Sequence, residues 1–327
     1  LQLGKESKVN FKACMPKLSI IIPCYFNEEN IPVTASALIE NEKLFPPEVE
    51  FEYVMVDDGS KDKTLDELVQ FGERHPGRVK VVKLVANVGS YNAMVAGMEV
   101  ATGDCSVIIT ADLQDPPELM VKMYDYWKKG IKLVVANREA REEGFFKSWF
   151  ASTFHFLMKN FALSNVPDGG FDYCLFDRKV REEVVAMKEK NTNCLYLMLW
   201  LGYDYVRIPY TRRERKIGKS RWTLKKKIKL FVDSFVSFSF LPIRAITTLG
   251  FILGFGALLY AILIAFAKIT GLIVVSGWSS MMTVILLVSS FQMISIGVLG
   301  EYLWRTLDSS RNRPIYLIDK VIFKEQD

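Results

Sequence analysis

The 327-residue sequence predicts an α/β domain built on a mostly parallel sheet, followed by a basic amphipathic helix and two membrane-spanning helices. Three observations carry this. Short apolar runs alternate with segments of helical period through the first half, the pattern of a parallel sheet with crossover helices. Charge then vanishes from Ala245 to Ala267 and again from Met281 to Leu299, and each run is long enough to cross a hydrocarbon core of roughly 30 Å. Between the two parts, basic residues concentrate from Arg212 to Lys229.

Leu1 to Lys17 is polar and carries no apolar signal segment. Leu18 to Pro23 reads as the first strand, ending at its proline, and Ile31 to Phe45 as a helix closed by Pro46-Pro47. Phe51 to Val56 is the second strand, Thr64 to Arg74 a helix, Val79 to Leu84 the third strand, and Tyr91 to Ala101 a helix. Ser106 to Thr110 is a buried strand, Pro117 to Lys129 a helix, and Lys132 to Ala136 a strand. Beyond Arg138 the pattern blurs. Phe145 to Phe161 is an aromatic-rich helical segment, Phe171 to Phe176 a strand, Arg178 to Lys188 and Leu195 to Trp200 helical, and Tyr205 to Pro209 a strand. Trp222 to Phe240 places lysines on one side and Leu224, Ile228, Phe231 and Phe235 on the other, as in a helix lying in a membrane interface.

These readings divide the chain into a polar tail (1–16), an α/β domain (17–210), basic juxtamembrane helices (211–242), two spans (243–268 and 279–304) and a C-terminal tail (305–327). Lys225, Lys226, Lys227 and Lys229 precede the spans, Arg305, Arg311 and Arg313 follow them, and only Lys268 lies between. The positive-inside rule therefore puts both flanks in the cytoplasm, with a short external loop from Ile269 to Trp278. Gly250, Gly254 and Gly256 allow close helix approach in the first span. The five cysteines have no zinc-like spacing, and their odd number argues against a disulfide framework. The formal charge of +5 is mild, and no nucleic-acid partner is expected.

The chemistry concentrates at strand ends, where open α/β sheets gather ligands. After the fourth strand comes Asp112-Leu113-Gln114-Asp115-Pro116-Pro117-Glu118. Asp112 and Gln114 lie two apart, so on extended chain both face one crevice. A carboxylate and an amide oxygen suit a hard divalent cation that takes its remaining ligands from a diphosphate. The same residues also suit an ordinary polar loop. After the second strand, Asp57-Asp58-Gly59-Ser60 offers a carboxylate to the N–H edge of a base, or simply a helix cap. After the first, Pro23-Cys24-Tyr25-Phe26-Asn27-Glu28 offers an aromatic ring to stack on a base and an acid to bind base or ribose; it too reads as a capped helix start.

That ordered set resembles the family 2 inverting glycosyltransferases of GT-A fold, and more narrowly the polyprenyl-phosphate glycosyltransferases of the dolichyl-phosphate and bactoprenol type. Asn87-Val88-Gly89, Asn137-Arg138, Phe176-Asp177-Arg178-Lys179 and Arg215-Lys216-Ile217-Gly218-Lys219-Ser220-Arg221-Trp222 match further motifs, and Ser237-Phe238-Ser239 leads into the spans as in the bactoprenol branch. The resemblance implies transfer of a hexose from a nucleotide diphosphate sugar, UDP-glucose first, to polyprenyl phosphate at the inner or plasma membrane by a multi-pass protein that forms homo-oligomers. It implies Mg²⁺ or Mn²⁺ on Asp112 and Gln114; nucleotide contacts from Pro23, Tyr25, Glu28, Asp57 and Asp58; acceptor-phosphate contacts from Arg138, Arg212, Arg215 and Ser220; and catalytic roles for Asp112, Asp172, Arg138 and Arg215. The chain departs from the family at three places. Thr110 stands where an acid is usual, Phe26 is an extra residue in the first motif, and the arginine usually found after Asp172 is missing.

Overall fold

The computed structural model describes residues 15–138, 153, 156–167, 170–214, 217, 224–270 and 277–323. Its strands are β1 (Lys17–Cys24), β2 (Glu50–Asp57), β3 (Val79–Leu84), β4 (Cys105–Ile108), β5 (Leu133–Arg138), β6 (Tyr173–Asp177), β7 (Tyr205–Tyr210) and β8 (Ile318–Ile322). The helices used below are α1 (Ile31–Glu42), α2 (Thr64–Arg74), α3 (Ser90–Val100), α4 (Leu119–Lys128), α5 (Arg178–Met187), α6 (Cys194–Trp200), α7 (Leu224–Phe238), α8 (Leu241–Ile269) and α9 (Trp278–Ser310).

The described strands form one sheet in the order β7-β5-β6-β4-β1-β2-β3-β8. β1 runs parallel to β2 and β4, β2 to β3, and β5 to β7. The expectation of a mostly parallel sheet needs one correction, because β6 is antiparallel to both β4 and β5, and β8 is antiparallel to β3. The sheet is mixed and Rossmann-like. Because β6 is antiparallel, its first residue, not its last, sits at the carboxyl edge of its neighbours.

Central strands are buried on both faces, which is why they read as continuous apolar runs rather than alternating ones. One layer of the core joins Ile21, Val54, Val56 and Ile108 to α3, α5 and α6; the other joins Ile20, Ile22, Tyr53 and Met55 to α1, α2 and α4. The segment expected to be a C-terminal tail contributes β8, which covers the β3 edge; Lys83 Nζ meets Asp319 Oδ2 at 2.6 Å across that pair.

α8 and α9 are long and apolar enough to cross a membrane, and their candidate spans, Leu241–Tyr260 and Ser280–Ser310, bury none of their apolar windows against the protein. A soluble core helix would do the opposite. α7 differs from expectation. Ile228 is exposed, but Phe235 is buried in the domain core and Phe238 packs edge-on against Tyr196 of α6. The apolar side of α7 is thus largely spent on protein at its C-terminal half. Arg305 of α9 then pins the base of the hairpin, donating to Asp233 of α7 at 2.7 Å and to the Asn191 carbonyl at 3.3 Å.

Candidate active site

The first three strand-end loops are stitched to one another. Phe26 N–H donates to Ser60 Oγ at 3.1 Å, Asn27 N–H to Thr64 Oγ1 at 2.8 Å, and Lys63 N–H to Glu28 Oε2 at 2.8 Å. Glu28, expected on base or ribose, therefore uses one oxygen to hold the start of α2. Asp58 is buried and holds the β3–α3 loop: Oδ1 accepts from Val88 N–H at 2.7 Å, and Oδ2 from Asn87 Nδ2 at 2.7 Å and Gly89 N–H at 3.1 Å. Its geometry is that of a staple, with both oxygens engaged by the loop. Asp57, also buried, accepts from Ser60 N–H at 3.1 Å. Gly59 has φ +69°, and a Cβ there would lie 2.7 Å from the Asn87 nitrogen, so the crossing requires glycine.

The extra residue in the first motif has a structural counterpart. Phe26 adopts φ +54°, a left-handed conformation that lets the chain absorb one more residue between β1 and α1. Its ring meets Tyr25 edge-on, with centroids 4.6 Å apart. Both are half-buried, and Pro23 lies one residue before the end of β1, beside Val56.

The acidic segment after β4 is a turn rather than an extended strand. Leu113 has φ +50°, so the alternation expected to point Asp112 and Gln114 the same way does not hold there. The turn is fixed from several sides. Thr34 Oγ1 donates to the Ala111 carbonyl at 2.8 Å, Asn41 Nδ2 to the Pro117 carbonyl at 3.0 Å, and Tyr173 Oη to the Pro116 carbonyl at 3.2 Å. Gln114 and Arg213 pair through Arg213 N–H on the Gln114 carbonyl at 2.9 Å, with Gln114 Nε2 returning to the Arg213 carbonyl at 3.4 Å. Asp112 Oδ1 accepts from Thr110 Oγ1 at 2.8 Å and from Gln114 N–H at 3.3 Å.

The donor types here fit a hard cation: a carboxylate at Asp112 and an amide oxygen at Gln114, both half-buried at the sheet's carboxyl edge. Among the described residues no three His, Cys, Asp or Glu side chains converge to hold a metal unaided. A cation at Asp112 would therefore be completed by oxygens of a bound ligand, as expected for Mg²⁺ or Mn²⁺ beside phosphates.

Cationic groups stand alongside. Arg138 ends β5, Tyr210 ends β7, and the two are register partners. Because β6 is antiparallel, Asp172 arrives at the same edge and forms an ion pair with Arg138. Burial disfavours the Arg138 charge, but Asp172, Tyr210 and Asp115 outweigh it and hold its pKa above the ordinary value. Its Nε is buried with no hydrogen-bond partner among the described residues, the kind of orphaned donor that marks an anion site. Arg212 lies 3.3 Å from Asp115. Burial and then Asp172 push the Tyr91 hydroxyl well up, so it stays protonated beside the ion pair.

The structure therefore gathers Asp112, Gln114, Arg138, Asp172 and Arg212 at one sheet edge. Arg215 and Ser220 lie outside the described residues. Sequence reasoning missed Asp115 and Tyr210. Asp115 is fully buried and accepts from Tyr210 Oη at 2.6 Å. Its only signal was its place in an acidic motif, and nothing in the chain order linked it to the end of β7.

The model of the family described as glycosyl transferase family 2 matches residues 19–185, which hold the stitched loops, the acidic turn, Arg138 and Asp172. An uncharacterized glycosyltransferase of Bacillus subtilis (strain 168), YkcC, is 35% identical over 303 residues, covering 92% of this chain and 93% of that one. The bactoprenol glucosyl transferase of Shigella phage SfX is 32% identical over 303 residues, covering 92% and 98%. A prophage bactoprenol glucosyl transferase homolog of Escherichia coli (strain K12) is 32% identical over 306 residues, covering 93% and 99%. With a family match over residues 19–185 and likeness of that extent, the chain belongs to glycosyl transferase family 2 and is a glycosyltransferase.

Proposed function

We propose that this enzyme transfers a hexose, with glucose from UDP-glucose as the first choice, to a polyprenyl phosphate, with inversion at the anomeric carbon. The observation that carries the reading is the extent of the likeness to bactoprenol glucosyl transferases. It takes in nearly the whole chain, so it includes the apolar hairpin as well as the catalytic domain. A hairpin of that kind gives an acceptor with a lipid tail a reason to meet the site.

In this reading an oxygen of the acceptor phosphate attacks the anomeric carbon as the bond to the diphosphate breaks, and the nucleoside diphosphate departs with that electron pair. A phosphate monoester has a second pKa near about 6, so the acceptor is already largely anionic and needs no strong base. Arg138 and Arg212 hold that phosphate, arginine being suited to bidentate contact. Asp172 orients Arg138 through their ion pair. Asp112 and Gln114 would hold Mg²⁺ or Mn²⁺, which would supply charge stabilisation to the leaving diphosphate. Tyr25, Phe26 and Pro23 line the nucleotide side, with Glu28, Asp57 and Asp58 keeping the loops that frame it. Arg215 and Ser220 extend the acceptor site. The basic flanks support a catalytic domain in the cytoplasm, at the inner or plasma membrane, and glycine-rich α8 supports self-association.

The test is direct. Purified protein with undecaprenyl phosphate, Mg²⁺ or Mn²⁺ and each of UDP-glucose, UDP-N-acetylglucosamine, UDP-galactose and GDP-mannose is examined by mass spectrometry. One donor giving a monoglycosylated lipid is expected. No glycolipid with any donor would sink the reading.

A further inference from the structure

Asp115 touches both halves of the site. On one side its Oδ2 lies 3.0 Å from Thr110 Oγ1, and that same hydroxyl lies 2.8 Å from Asp112 Oδ1. On the other side its Oδ1 accepts from Tyr210 Oη at 2.6 Å and faces Arg212 Nε at 3.3 Å. The Tyr210 side chain also stands beside Arg138, its register partner across β5 and β7, and the two interact electrostatically. A phenol that donates to a carboxylate can still accept from a guanidinium, so the contacts are compatible. The result is one connected run, from Asp112 through Thr110, Asp115 and Tyr210 to Arg138 and Asp172. Asp115 itself is wholly shielded from solvent and touches no open surface where a substrate would bind.

The Thr110 end has a particular property. A threonine hydroxyl carries one proton, so it donates fully to only one of the two carboxylates it spans. An acid at position 110 would have no proton to give at neutral pH and would add a third negative charge to the turn. Threonine at this position thus joins two carboxylates that would otherwise repel.

We infer that Asp115 is a positioning residue for the proposed transfer, holding the cation-binding Asp112 through Thr110, the phosphate-binding Arg138 through Tyr210, and Arg212 directly. The inference rests on the proposed reading of the site and adds to it residues with no substrate contact. Removing one arm should disturb one half of the site only.

The experiment uses full-length protein in detergent and reads two quantities. Mn²⁺ affinity in the presence of UDP is measured by electron paramagnetic resonance of free Mn²⁺, and the acceptor KM by glycolipid formation. Thr110→Val should weaken Mn²⁺ by about tenfold, the worth of one hydrogen bond to a charged group, and hold the acceptor KM within about twofold. Tyr210→Phe should raise the acceptor KM by about tenfold and leave Mn²⁺ affinity within about twofold. Asp115→Asn should move both. If Asp115→Asn does not fold, the two single-arm variants decide the matter by themselves. Arms that fail to separate, or that move both quantities only in step with the melting temperature, overturn the positioning role. Wild-type protein that makes glycolipid while the arms fail to separate sinks this inference alone; wild-type protein that makes none with any donor sinks the functional reading and the inference together.

Discussion

The two ends of the central strands hold charge in opposite ways. At the amino end, Glu52 of β2 is buried and fully served: Lys80 Nζ lies at 2.7 Å and Lys17 Nζ at 3.5 Å, Thr102 donates through N–H at 2.8 Å and Oγ1 at 2.7 Å, and Ser19 Oγ donates as well. At the carboxyl end, Arg138 keeps a buried Nε with no partner among the described residues, and Phe26, Gly59 and Leu113 hold left-handed backbone. The same strands carry both ends. Saturated polar groups at one end secure the sheet; unsaturated donors and strained turns at the other leave capacity for a ligand.

The contrast breaks most sharply at Asp112. Asp112→Asn should lower glycolipid formation by about 100- to 1,000-fold, the usual scale for losing one charge-stabilising group, with little change in thermal unfolding. Equal loss of activity and stability would erase the distinction between the two ends.

Glu52→Gln is the mirror test. Burial opposes the Glu52 charge, but Lys80, Ser19 and Thr102 prevail and bring its pKa down from 4.5 to about 2. A lowered folded-state pKa adds stability that is complete above the ordinary value of 4.5 and is lost as pH falls toward about 2. Its worth is about 3 kcal/mol. The variant should lose roughly that at pH 7 and show a flatter fall in stability between pH 4.5 and 2, followed by near-ultraviolet circular dichroism. Its turnover at low temperature should stay near wild type.

Gly59→Ala probes strain. The added methyl meets the Asn87 nitrogen at 2.7 Å in a left-handed backbone, which costs about 1–2 kcal/mol. Because Gly59 abuts the loop that Asp58 staples, KM for the nucleotide sugar should rise more than kcat falls. Smallest of all is Arg213→Ala. The Arg213–Glu118 pair is at the site end but about half exposed on both sides, so its loss should shift stability by less than about 1 kcal/mol. A larger effect would show that proximity to the site, not saturation, governs the contribution of a charge.

Much of this was legible in the sequence because it depends on local rules. Thr64–Arg74 and Val79–Leu84 fall where their patterning puts them, and the strand-end motifs land together because parallel strands deliver every carboxyl end to one edge. What was not legible depends on contacts distant in sequence. Leu113 looks like any loop leucine, and only the packing of α1 and β6 around the turn explains its φ of +50°. Phe235 has the period of a lipid-facing residue, yet α6 lies where lipid was expected. Tyr210 and Asp115 lie 95 residues apart, so no window of sequence joins them.

The antiparallel pairing of β8 with β3 has a consequence for how the molecule is made. Lys83 and Asp319, which bridge these strands, are separated by 236 residues, and α8 and α9 lie within that interval. A ribosome therefore releases both apolar helices before the strand that completes the sheet. Until Ile318–Ile322 emerges, β3 presents an open edge rich in valine, with Val81 and Val82 in its ladder, the kind of edge that recruits foreign strands. Biogenesis of the catalytic domain thus waits on delivery of the hairpin, and a nascent chain stalled between the two is exposed to aggregation at β3.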